Sequence, residues 1–465
     1  MSNQSLAQQT DVALAIDFFR QWVQAQMAIR EQPGISIAVA YDQDLIWAEG
    51  FGYADVEKQI PATPQTIYRI ASITKLFTST AIVQLRDAGK LQLDDPVEKH
   101  LPWFKVQSSY EHEAPVTIRN LLTHTAGLPR EANFPYWSTL EFPTKEEIMA
   151  ALPDQRFCYP PYTRWKYSNL GLALAGYIVE AVSGQSYDDY IQEHILDPLG
   201  MTSTSVHLSE EHMQRLATGY SRRLPGQPRS VVPFTESAGI TPAANMASTV
   251  EDLVRFAALQ YRNAPADNAQ QILSGSSLRE MHRVQWLADN WTHGWGLGFS
   301  ITRVDGRTRH GHGGSLTGYR TQLSFSLKEK ITIVVMTNAN DGMPDLYVEQ
   351  AWKILAPAIV KATTPPPSPV SLEGLERYVG LYRSSWGDLQ VALRPSGLVL
   401  FAPNALDPLS TVMTLTKVGE HTFLTDSDDG YATNAELAVF ELDETGTPTR
   451  LTIGTTYSDY VGKHF

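Results

Sequence analysis

A serine and a lysine lie three residues apart at Ser72 and Lys75, in the only Ser-x-x-Lys of the chain. The segment follows a strand-like run and opens a helical run that closes at Gly89. On a helix this spacing places both side chains on one face. A serine hydroxyl becomes a nucleophile when a neighbour takes its proton, and a lysine can do so when burial or nearby cations lower its pKa below ~10.4. The segment therefore suits a nucleophile and its base, although alone it also fits an N-capping serine beside a solvated lysine.

Two further patterns hold residues of the kinds that bind a substrate and move protons. Tyr167–Asn169 (Tyr-Ser-Asn) precedes an apolar helical run. A tyrosine near a lysine can relay a proton, and an asparagine amide can bind a carbonyl. His312–Ser315 (His-Gly-Gly-Ser) lies among strand-like runs, where glycines let a ligand approach the backbone closely. Alone, the first also fits a plain loop and the second a β-turn with an incidental histidine.

The order and spacing of the three patterns resemble those of the serine hydrolases of the class C β-lactamase and penicillin-binding-protein family. Tyr167 follows Ser72 by 95 residues, and His312 follows Tyr167 by 145. Three more stretches resemble family signatures: Thr117–Leu128, Leu196–Met201 and Ala247–Leu253. Independent matches in the right order support one another, and the resemblance extends over about residues 10–360.

The resemblance implies a role for each matched residue. Ser72 would be acylated, Lys75 would be the base or proton shuttle, and Tyr167 would protonate the leaving group and then activate water. Asn169 would bind Lys75 and the substrate. The oxyanion hole would be the backbone N–H groups of Ser72 and Ser315. No metal and no cofactor is implied. The predicted catalytic residues are Ser72, Lys75 and Tyr167, and the predicted substrate-binding residues are Asn169, His312, Gly314 and Ser315.

One departure from the family pattern concerns the substrate. The β-lactamase and carboxypeptidase branch usually has Lys-Thr-Gly where this chain has His312–Gly314. A histidine is mostly neutral at pH 7 and a glycine has no hydroxyl, so we expect weaker recognition of carboxylates unless Arg309 or Arg320 replaces it. The triplet looks more like the branch that holds D-aminopeptidases, related peptidases and esterases.

The function predicted on this basis is a serine hydrolase that cleaves a small amide or ester, with a small peptide or amino-acid amide favoured. A carboxylesterase, a weak β-lactamase of the same fold and a non-catalytic binding or regulatory protein are the alternatives. A metal shared by His310 and His312 is disfavoured, because no third ligand at typical spacing accompanies them.

Upstream of residue 363 the sequence predicts an α/β (α+β) domain of the β-lactamase/transpeptidase type. An amphipathic helix comes first, and strand-like runs occupy Gly34–Tyr41 and Leu45–Gly52. A helical middle follows over about residues 72–256, and further strand-like runs and a last helix complete the domain. Strands from the two ends would form one antiparallel sheet flanked by helices, with the helical middle inserted between them.

A proline-rich run at residues 363–370 reads as a linker, since it can neither continue a helix nor donate to a sheet. After it, short alternating runs separated by Gly, Pro, Asp and Asn suggest a small all-β antiparallel barrel that resembles a lipocalin. The predicted organisation is therefore a hydrolase domain at residues 1–362, a linker at 363–370 and a barrel at 371–465.

Composition restricts partners and location. The formal charge is −13, with 37 Lys and Arg against 50 Asp and Glu, so a nucleic-acid partner is not expected. A single cysteine, Cys158, excludes a disulfide within the chain and a cysteine-cluster metal site. The polar first ten residues and the lack of a long apolar run predict a cytoplasmic protein without membrane contact, acting on a small molecule or short peptide. A homo-oligomer is left open.

Overall fold

The computed structural model describes residues 5–110, 113–262, 271–364, 371–427, 430 and 433–463. The chain divides between Thr363 and Thr364 into two compact units. Residues 365–370 of the predicted linker lie outside the described residues.

The first unit contains eleven strands and fourteen α-helices among its described residues. The strands are β1 (Gly34–Tyr41), β2 (Asp44–Asp55), β3 (Ile60–Pro61), β4 (Tyr68–Arg69), β5 (Ala247–Ser248), β6 (Trp286–Leu287), β7 (His293–Trp295), β8 (Ser300–Val304), β9 (Arg307–Leu316), β10 (Tyr319–Ser326) and β11 (Ile331–Thr337). The helices are α1 (Thr10–Arg30), α2 (Thr74–Asp87), α3 (Val97–His100), α4 (Ile118–Leu122), α5 (Tyr136–Thr139), α6 (Lys145–Ala151), α7 (Asn169–Ser183), α8 (Tyr187–Ile191), α9 (Asp197–Leu199), α10 (Glu210–Arg215), α11 (Thr241–Ala244), α12 (Val250–Leu259), α13 (Gly275–Met281) and α14 (Pro344–Thr363).

A nine-stranded antiparallel sheet organises this unit, in the order β3-β2-β1-β11-β10-β9-β8-β7-β6. Strand β1 pairs with β11, with Ile35 opposite Thr337 and Tyr41 opposite Ile331. The two ends of the unit therefore meet at the centre of the sheet, and the helical middle is inserted between β3 and β6. This is the predicted β-lactamase/transpeptidase-type architecture.

Each face of the sheet packs against a different layer of helices. On β1, Ile35, Ile37 and Val39 lie in the apolar cluster formed with α1 and α14. Ala38 and Ala40 face the cluster of the inserted helices. This alternation follows from the two-residue period of a strand. The amphipathic character predicted for the first helix arises because α1 covers one face of the sheet.

The second unit is a closed eight-stranded antiparallel barrel. Its strands are β12 (Gly380–Ser384), β13 (Gly387–Arg394), β14 (Gly397–Phe401), β15 (Met413–Lys417), β16 (Thr422–Asp426), β17 (Leu437–Leu442), β18 (Pro448–Ile453) and β19 (Thr456–Gly462). Strand β12 pairs with both β13 and β19, which closes the barrel. Within the described ranges, no helix of the protein is both long and apolar enough to cross a membrane.

Candidate active site

Ser72 lies in a single 3-10 turn between β4 and α2. Its neighbour Ala71 has a φ of 47°, in the left-handed region that costs a non-glycine residue about 1–3 kcal/mol. The N–H of Ile70 donates to the carbonyl of Met246 at 2.9 Å, and the N–H of Met246 donates to Thr74 Oγ1 at 3.1 Å. These two bonds hold the chain on both sides of Ser72, so the backbone of its turn has a fixed position.

Lys75 is completely buried in the first turn of α2. Its Nζ lies 3.0 Å from Ser72 Oγ and donates to the carbonyl of Ala243 at 2.8 Å. Burial lowers the pKa of Lys75 to about 7, against a smaller opposing effect of the Glu131 carboxylate. A substantial fraction of Lys75 is therefore neutral at pH 7, and a neutral amine can accept the proton of Ser72.

Tyr167 approaches Ser72 from the loop before α7. Its hydroxyl donates to Ser72 Oγ at 2.9 Å, and Lys75 Nζ lies 5.0 Å from the centroid of its ring. Burial raises the pKa of Tyr167 well above its usual value. The side chain is therefore a neutral phenol that can give a proton, and Ser72 Oγ lies within hydrogen-bond distance of both Lys75 and Tyr167.

Aromatic rings fix the position of Tyr167. The ring centroids of His124 and Tyr167 are 4.4 Å apart. The ring centroid of Trp295 is 5.0 Å from that of His124 and 6.4 Å from that of Tyr167. His124 Nδ1 accepts the N–H of Ser168 at 3.2 Å. Burial lowers the pKa of His124 well below its usual value, and the nearby Lys75 lowers it further, so His124 packs here as a neutral ring.

Strand β9 brings the His-Gly-Gly segment to the same place. Strand β8 pairs with β9 only as far as Gly311, so His312 and the residues after it extend past β8. A Cβ on Gly314 would lie 2.1 Å from the carbonyl oxygen of Ile70 and 2.2 Å from Thr321 Oγ1. Only glycine allows β9 to approach the turn of Ser72 so closely.

His312 is buried and neutral. Its Nδ1 lies 2.6 Å from the carbonyl oxygen of Gly313, and burial together with Lys75 lowers its pKa to about 3. The absence of a fixed positive charge agrees with the expectation from the sequence. Because a carbonyl only accepts, Nδ1 carries the proton and Nε2 presents a lone pair.

The two arginines considered for carboxylate binding point in different directions. Arg309 is buried on the opposite face of β9, where it donates to Glu349 at 2.6 Å and lies 5.1 Å from the ring of Trp352. It does not line the cavity at Ser72, so that alternative is wrong. Arg320 does line the cavity and donates to Ser315 Oγ.

Asn169 does not make the hydrogen bond to Lys75 that the family resemblance implies. Its Nδ2 donates instead to Glu131 Oε1 at 2.5 Å, and its Oδ1 has no partner among the described residues. Glu131 Oε1 also accepts the indole N–H of Trp137 at 2.8 Å. Glu131 belongs to none of the motifs named above, although it lies three residues after the Thr117–Leu128 signature.

Most of the predicted site residues line one cavity of about 520 Å³. Its walls include all but one of the predicted site residues, the exception being the completely buried Lys75. The lining residues at the reacting end are Ser72, Tyr167, Asn169, His312, Gly314 and Ser315, and those at the rim include Arg130, Trp137, Arg320, Met343 and Asp345. A second cavity of about 550 Å³ lies beside β2 and β3 and contains none of the predicted site residues.

A metal site at the two strand histidines is not found. His310 packs 4.9 Å from His282 and stacks on Phe325 in the core. Among the residues that the structure describes, no group of three or more His, Cys, Asp or Glu side chains could hold a metal ion.

The fold and this site define a family. Residues 19–356 match the model of the beta-lactamase family, and the chain belongs to it.

Particular relatives show how far the likeness extends. "Protein flp" of Staphylococcus aureus strain MW2 is 30% identical over 318 residues, which are 68% of this chain and 62% of that protein. The chain thus spans less than two thirds of that relative's length. "Beta-lactamase-like protein 2" of Dictyostelium discoideum is 28% identical over 390 residues, 78% of this chain and 70% of that one.

Solved structures share the fold. An octameric penicillin-binding protein homologue from Pyrococcus abyssi is 27% identical, with a TM-score of 0.62 over 95% of this chain and 99% of that chain. A D-stereospecific amidohydrolase from Streptomyces sp. has a TM-score of 0.60 over 72% of this chain and 97% of that one. At 24% identity, the second likeness concerns the fold alone.

Proposed function

We propose that this protein is a serine hydrolase that cleaves a small amide or ester through an acyl-enzyme at Ser72. The observation that carries the proposal is the pair of contacts at Ser72 Oγ, 3.0 Å from Lys75 Nζ and 2.9 Å from the Tyr167 hydroxyl. A base and an acid that both reach one nucleophile are what covalent acyl transfer requires.

The reaction begins with attack of Ser72 Oγ on the substrate carbonyl carbon while neutral Lys75 takes the hydroxyl proton. The carbonyl oxygen becomes an oxyanion, which the backbone N–H groups of Ser72 and Ser315 stabilise. Tyr167 gives its proton to the leaving nitrogen or oxygen as the bond to the carbonyl carbon breaks, and Lys75 reprotonates Tyr167.

Deacylation repeats these steps with water. Water loses a proton to the Lys75 and Tyr167 pair and its oxygen bonds to the acyl carbon. The bond to Ser72 Oγ breaks, and the serine regains a proton. The products are the free acid and the amine or alcohol, and both catalytic side chains return to their starting protonation states.

The buried lysine also argues against the alternative of a non-catalytic binding protein. Burial of an ionisable amine without a paired carboxylate costs folding free energy. A fold that had lost its activity would gain stability by replacing Lys75 with an apolar residue. For the substrate we favour small peptides and amino-acid amides, with esters of small acids next and β-lactams last, because His312 provides no cation for a carboxylate.

We further propose that the protein acts in the cytoplasm. We also propose that it forms homo-oligomers, since the similar Pyrococcus abyssi homologue is described as octameric. Light scattering tests the second point: a mass that is a multiple of 51.7 kDa is expected, and a purely monomeric mass contradicts it.

The test of the catalytic proposal combines labelling with a substrate panel. A fluorophosphonate should label the wild type once, and Ser72→Ala should abolish both labelling and hydrolysis. Ser79→Ala is the matched control, because Ser79 is buried on the same helix with an unpartnered hydroxyl. The panel contains 4-nitrophenyl esters, D- and L-amino-acid 4-nitroanilides and nitrocefin. Labelling that survives Ser72→Ala, or a wild type that hydrolyses nothing in the panel and resists labelling, would overturn the proposal.

A further inference from the structure

The cavity of about 550 Å³ beside β2 and β3 lies within the first unit, between β3 and residues 213–219 and 231–234. It is called the second cavity below. It shares no lining residue with the cavity that contains Ser72, and nothing in the proposed hydrolysis uses it. Cavities that bind small molecules have volumes of about 300–1,000 Å³ and a mostly apolar lining with a few polar groups. The second cavity therefore has the size of a ligand site.

The lining of the second cavity exposes large apolar side chains to solvent. Four of them are 41–53% exposed: Ile60, Met213, Val231 and Phe234. Single exposed apolar side chains are normal on a protein surface, whereas a cluster of them marks a binding surface. Burial of these four side chains against an apolar molecule would remove their surface from water, which favours binding.

Main-chain hydrogen bonds hold the walls of the second cavity in place. The N–H of Thr218 donates to the carbonyl of Ala54 at 2.8 Å, and the N–H of Val232 donates to the carbonyl of Gly219 at 2.9 Å. Ala54 and Gly219 line the cavity with little or no side chain, which leaves space between the walls. The second cavity is thus formed before any ligand enters.

A buried arginine supports the aromatic wall of the second cavity. The guanidinium carbon of Arg69 lies 4.8 Å from the centroid of the Phe234 ring, and Arg69 Nη1 donates to the carbonyl of Thr235 at 2.8 Å. A cation over the face of an aromatic ring is attracted by the negative charge of that face. The ring of Phe234 is therefore held in place although it is partly exposed.

The charged side chains at the second cavity leave one positive charge in excess. Lys58 pairs with Asp55 at 3.0 Å. Arg215 Nη2 donates only to neutral oxygens, the carbonyl of Gln65 at 2.8 Å and Ser203 Oγ at 3.0 Å. Among the residues that the structure describes, no carboxylate forms an ion pair with Arg215, so the N–H donors of its Nε and Nη1 can take one from a ligand.

We propose that the second cavity binds a small amphipathic carboxylate. Its apolar tail would lie among the four exposed apolar side chains, and its carboxylate would accept hydrogen bonds from Arg215. The charge selects an anion, and the apolar lining selects an anion with a hydrocarbon tail. The proposal goes beyond the proposed function and does not depend on it, because the two cavities have separate linings.

The first experiment is calorimetric titration of the wild type with hexanoate, octanoate and decanoate, and with octan-1-ol as the uncharged equivalent. We expect each added CH₂ to tighten binding about two- to fourfold, because it buries more apolar surface. Octanoate should bind about fivefold more tightly than octan-1-ol, through the charge of Arg215. A Kd that does not change with chain length, or no binding of decanoate, would overturn the proposal.

A charge placed in the apolar lining tests the position of the tail. Val231→Asp should weaken octanoate binding about tenfold or more, since a carboxylate among apolar groups repels the ligand and resists burial. Val284→Asp is the matched control, at a similarly exposed valine outside both cavities. Thermal melts check that both variants fold. Equal Kd values for the two variants would overturn the proposal. So would a wild type that binds no octanoate and a Val231→Asp of lower mass in light scattering, which would assign the surface to contact between copies.

Variants of Arg215 test the position of the carboxylate without altering the apolar lining. Arg215→Gln should bind octanoate no more tightly than octan-1-ol, whereas Arg215→Lys should keep part of the preference for the anion. The Kd of octan-1-ol should stay within about twofold of the wild-type value in both variants. An unchanged preference in Arg215→Gln would contradict the proposal.

A measurement on the wild type separates the second cavity from the candidate active site. Protein labelled at Ser72 by a fluorophosphonate should bind octanoate with a Kd within about twofold of that of the unlabelled protein. Loss of octanoate binding on labelling would place the ligand in the cavity of Ser72 and overturn the proposal. Failure of the probe to label Ser72 would instead overturn the proposed function, and the titrations with unlabelled protein would still test the second cavity.

Discussion

The two units of the chain treat buried polar groups in opposite ways. In the barrel, the hydroxyl of Tyr378 lies 2.8 Å from His421 Nδ1, and that of Tyr382 donates to the Tyr378 carbonyl at 2.8 Å. In the first unit, Lys75 and His312 are buried beside Ser72. Across the residues that the structure describes, every buried polar side-chain atom without a partner belongs to the first unit.

This difference shows where the chain sacrifices stability. Unpaired buried polar atoms cost about 1–3 kcal/mol each. In the first unit they include Asn169 Oδ1 and His312 Nε2 at the cavity of Ser72, and also core atoms away from it, such as Gln84 Oε1 and Tyr347 Oη. The unit that holds the candidate site is thus also the one that buries unpaired polar atoms.

The largest expected effect tests whether the buried side chains beside Ser72 serve catalysis, and it concerns Lys75 and Tyr167. Lys75→Ala and Tyr167→Phe should each lower kcat/KM by about three orders of magnitude or more, and the double variant should be little worse than either, because both act on one proton path. The measurement is kcat/KM for all four proteins on one ester. Losses that multiply would show that the two side chains act independently.

Removing an aromatic ring from the core of the barrel should lower the stability of the barrel and leave activity nearly unchanged. Phe440 is buried and packs against Tyr378, Tyr382 and Phe423. Phe440→Ala should destabilise the barrel by about 3–5 kcal/mol in denaturant unfolding. Activity per folded molecule should stay within about twofold of wild type, since every residue that lines the cavity at Ser72 belongs to the first unit. The control is Val439→Ala, at an exposed neighbouring position. Lost activity with retained folding would show that the barrel contributes to the site.

A positive charge added to strand β9 should change the preference between substrates with and without a carboxylate. His312→Lys together with Gly313→Thr should raise the preference for esters that carry a carboxylate over uncharged esters by about ten- to a hundredfold, through a charge-assisted hydrogen bond. The measurement is the ratio of kcat/KM values at low salt, where charge is least screened. Gly313→Thr alone is the control. A wild type that already prefers carboxylates would assign their recognition to Arg320.

The smallest effect is the pH dependence set by Lys75. Because its pKa is about 7, protonation below that pH removes the base. We expect kcat/KM at pH 6 to be roughly a tenth of the plateau value. The rate of fluorophosphonate labelling should follow the same curve, which excludes titration of the substrate as the cause. A flat profile between pH 5 and 8 would contradict the assignment of Lys75 as the base.

The lowered pKa of Lys75 also predicts how the stability of the folded protein depends on pH. Between its folded pKa near 7 and its unfolded pKa near 10.4, Lys75 binds more protons in the unfolded chain than in the folded one. Its contribution to stability therefore rises with pH over this window. The Tm of the wild type should rise relative to that of Lys75→Met from pH 7 to pH 9. An unchanged difference in Tm would contradict the lowered pKa of Lys75.

Local patterns predicted much of the fold, and they also supplied the candidate site residues, whose roles stay predictions. The strand β1, the helix α1 and the barrel follow from short-range periodicity, and Ser72, Lys75 and Tyr167 follow from motif spacing. The alternation of side chains on β9 also determines that Arg309 lies on the face opposite His310 and His312. Strand β19 gives a weak apolar pattern, because only Ser458 of its seven residues is buried.

Long-range contacts set the limit of this prediction. The orientation of the Asn169 amide depends on Glu131, which is 38 residues away and belongs to no pattern. The close approach of Gly314 to the Ile70 carbonyl depends on chain segments that are more than 240 residues apart. Such contacts are visible only when the fold has brought the segments together.

The pairing of β1 with β11 has a consequence for synthesis of the chain. Tyr41 leaves the ribosome 290 residues before its partner Ile331. At roughly 5–20 residues per second, this interval lasts about 15–60 s. Throughout it, one edge of an apolar strand has no native partner, and such edges aggregate readily. The yield of active protein in cells should therefore depend on translation rate and on chaperones that shield the β1–β2 hairpin until the last strand of the sheet arrives.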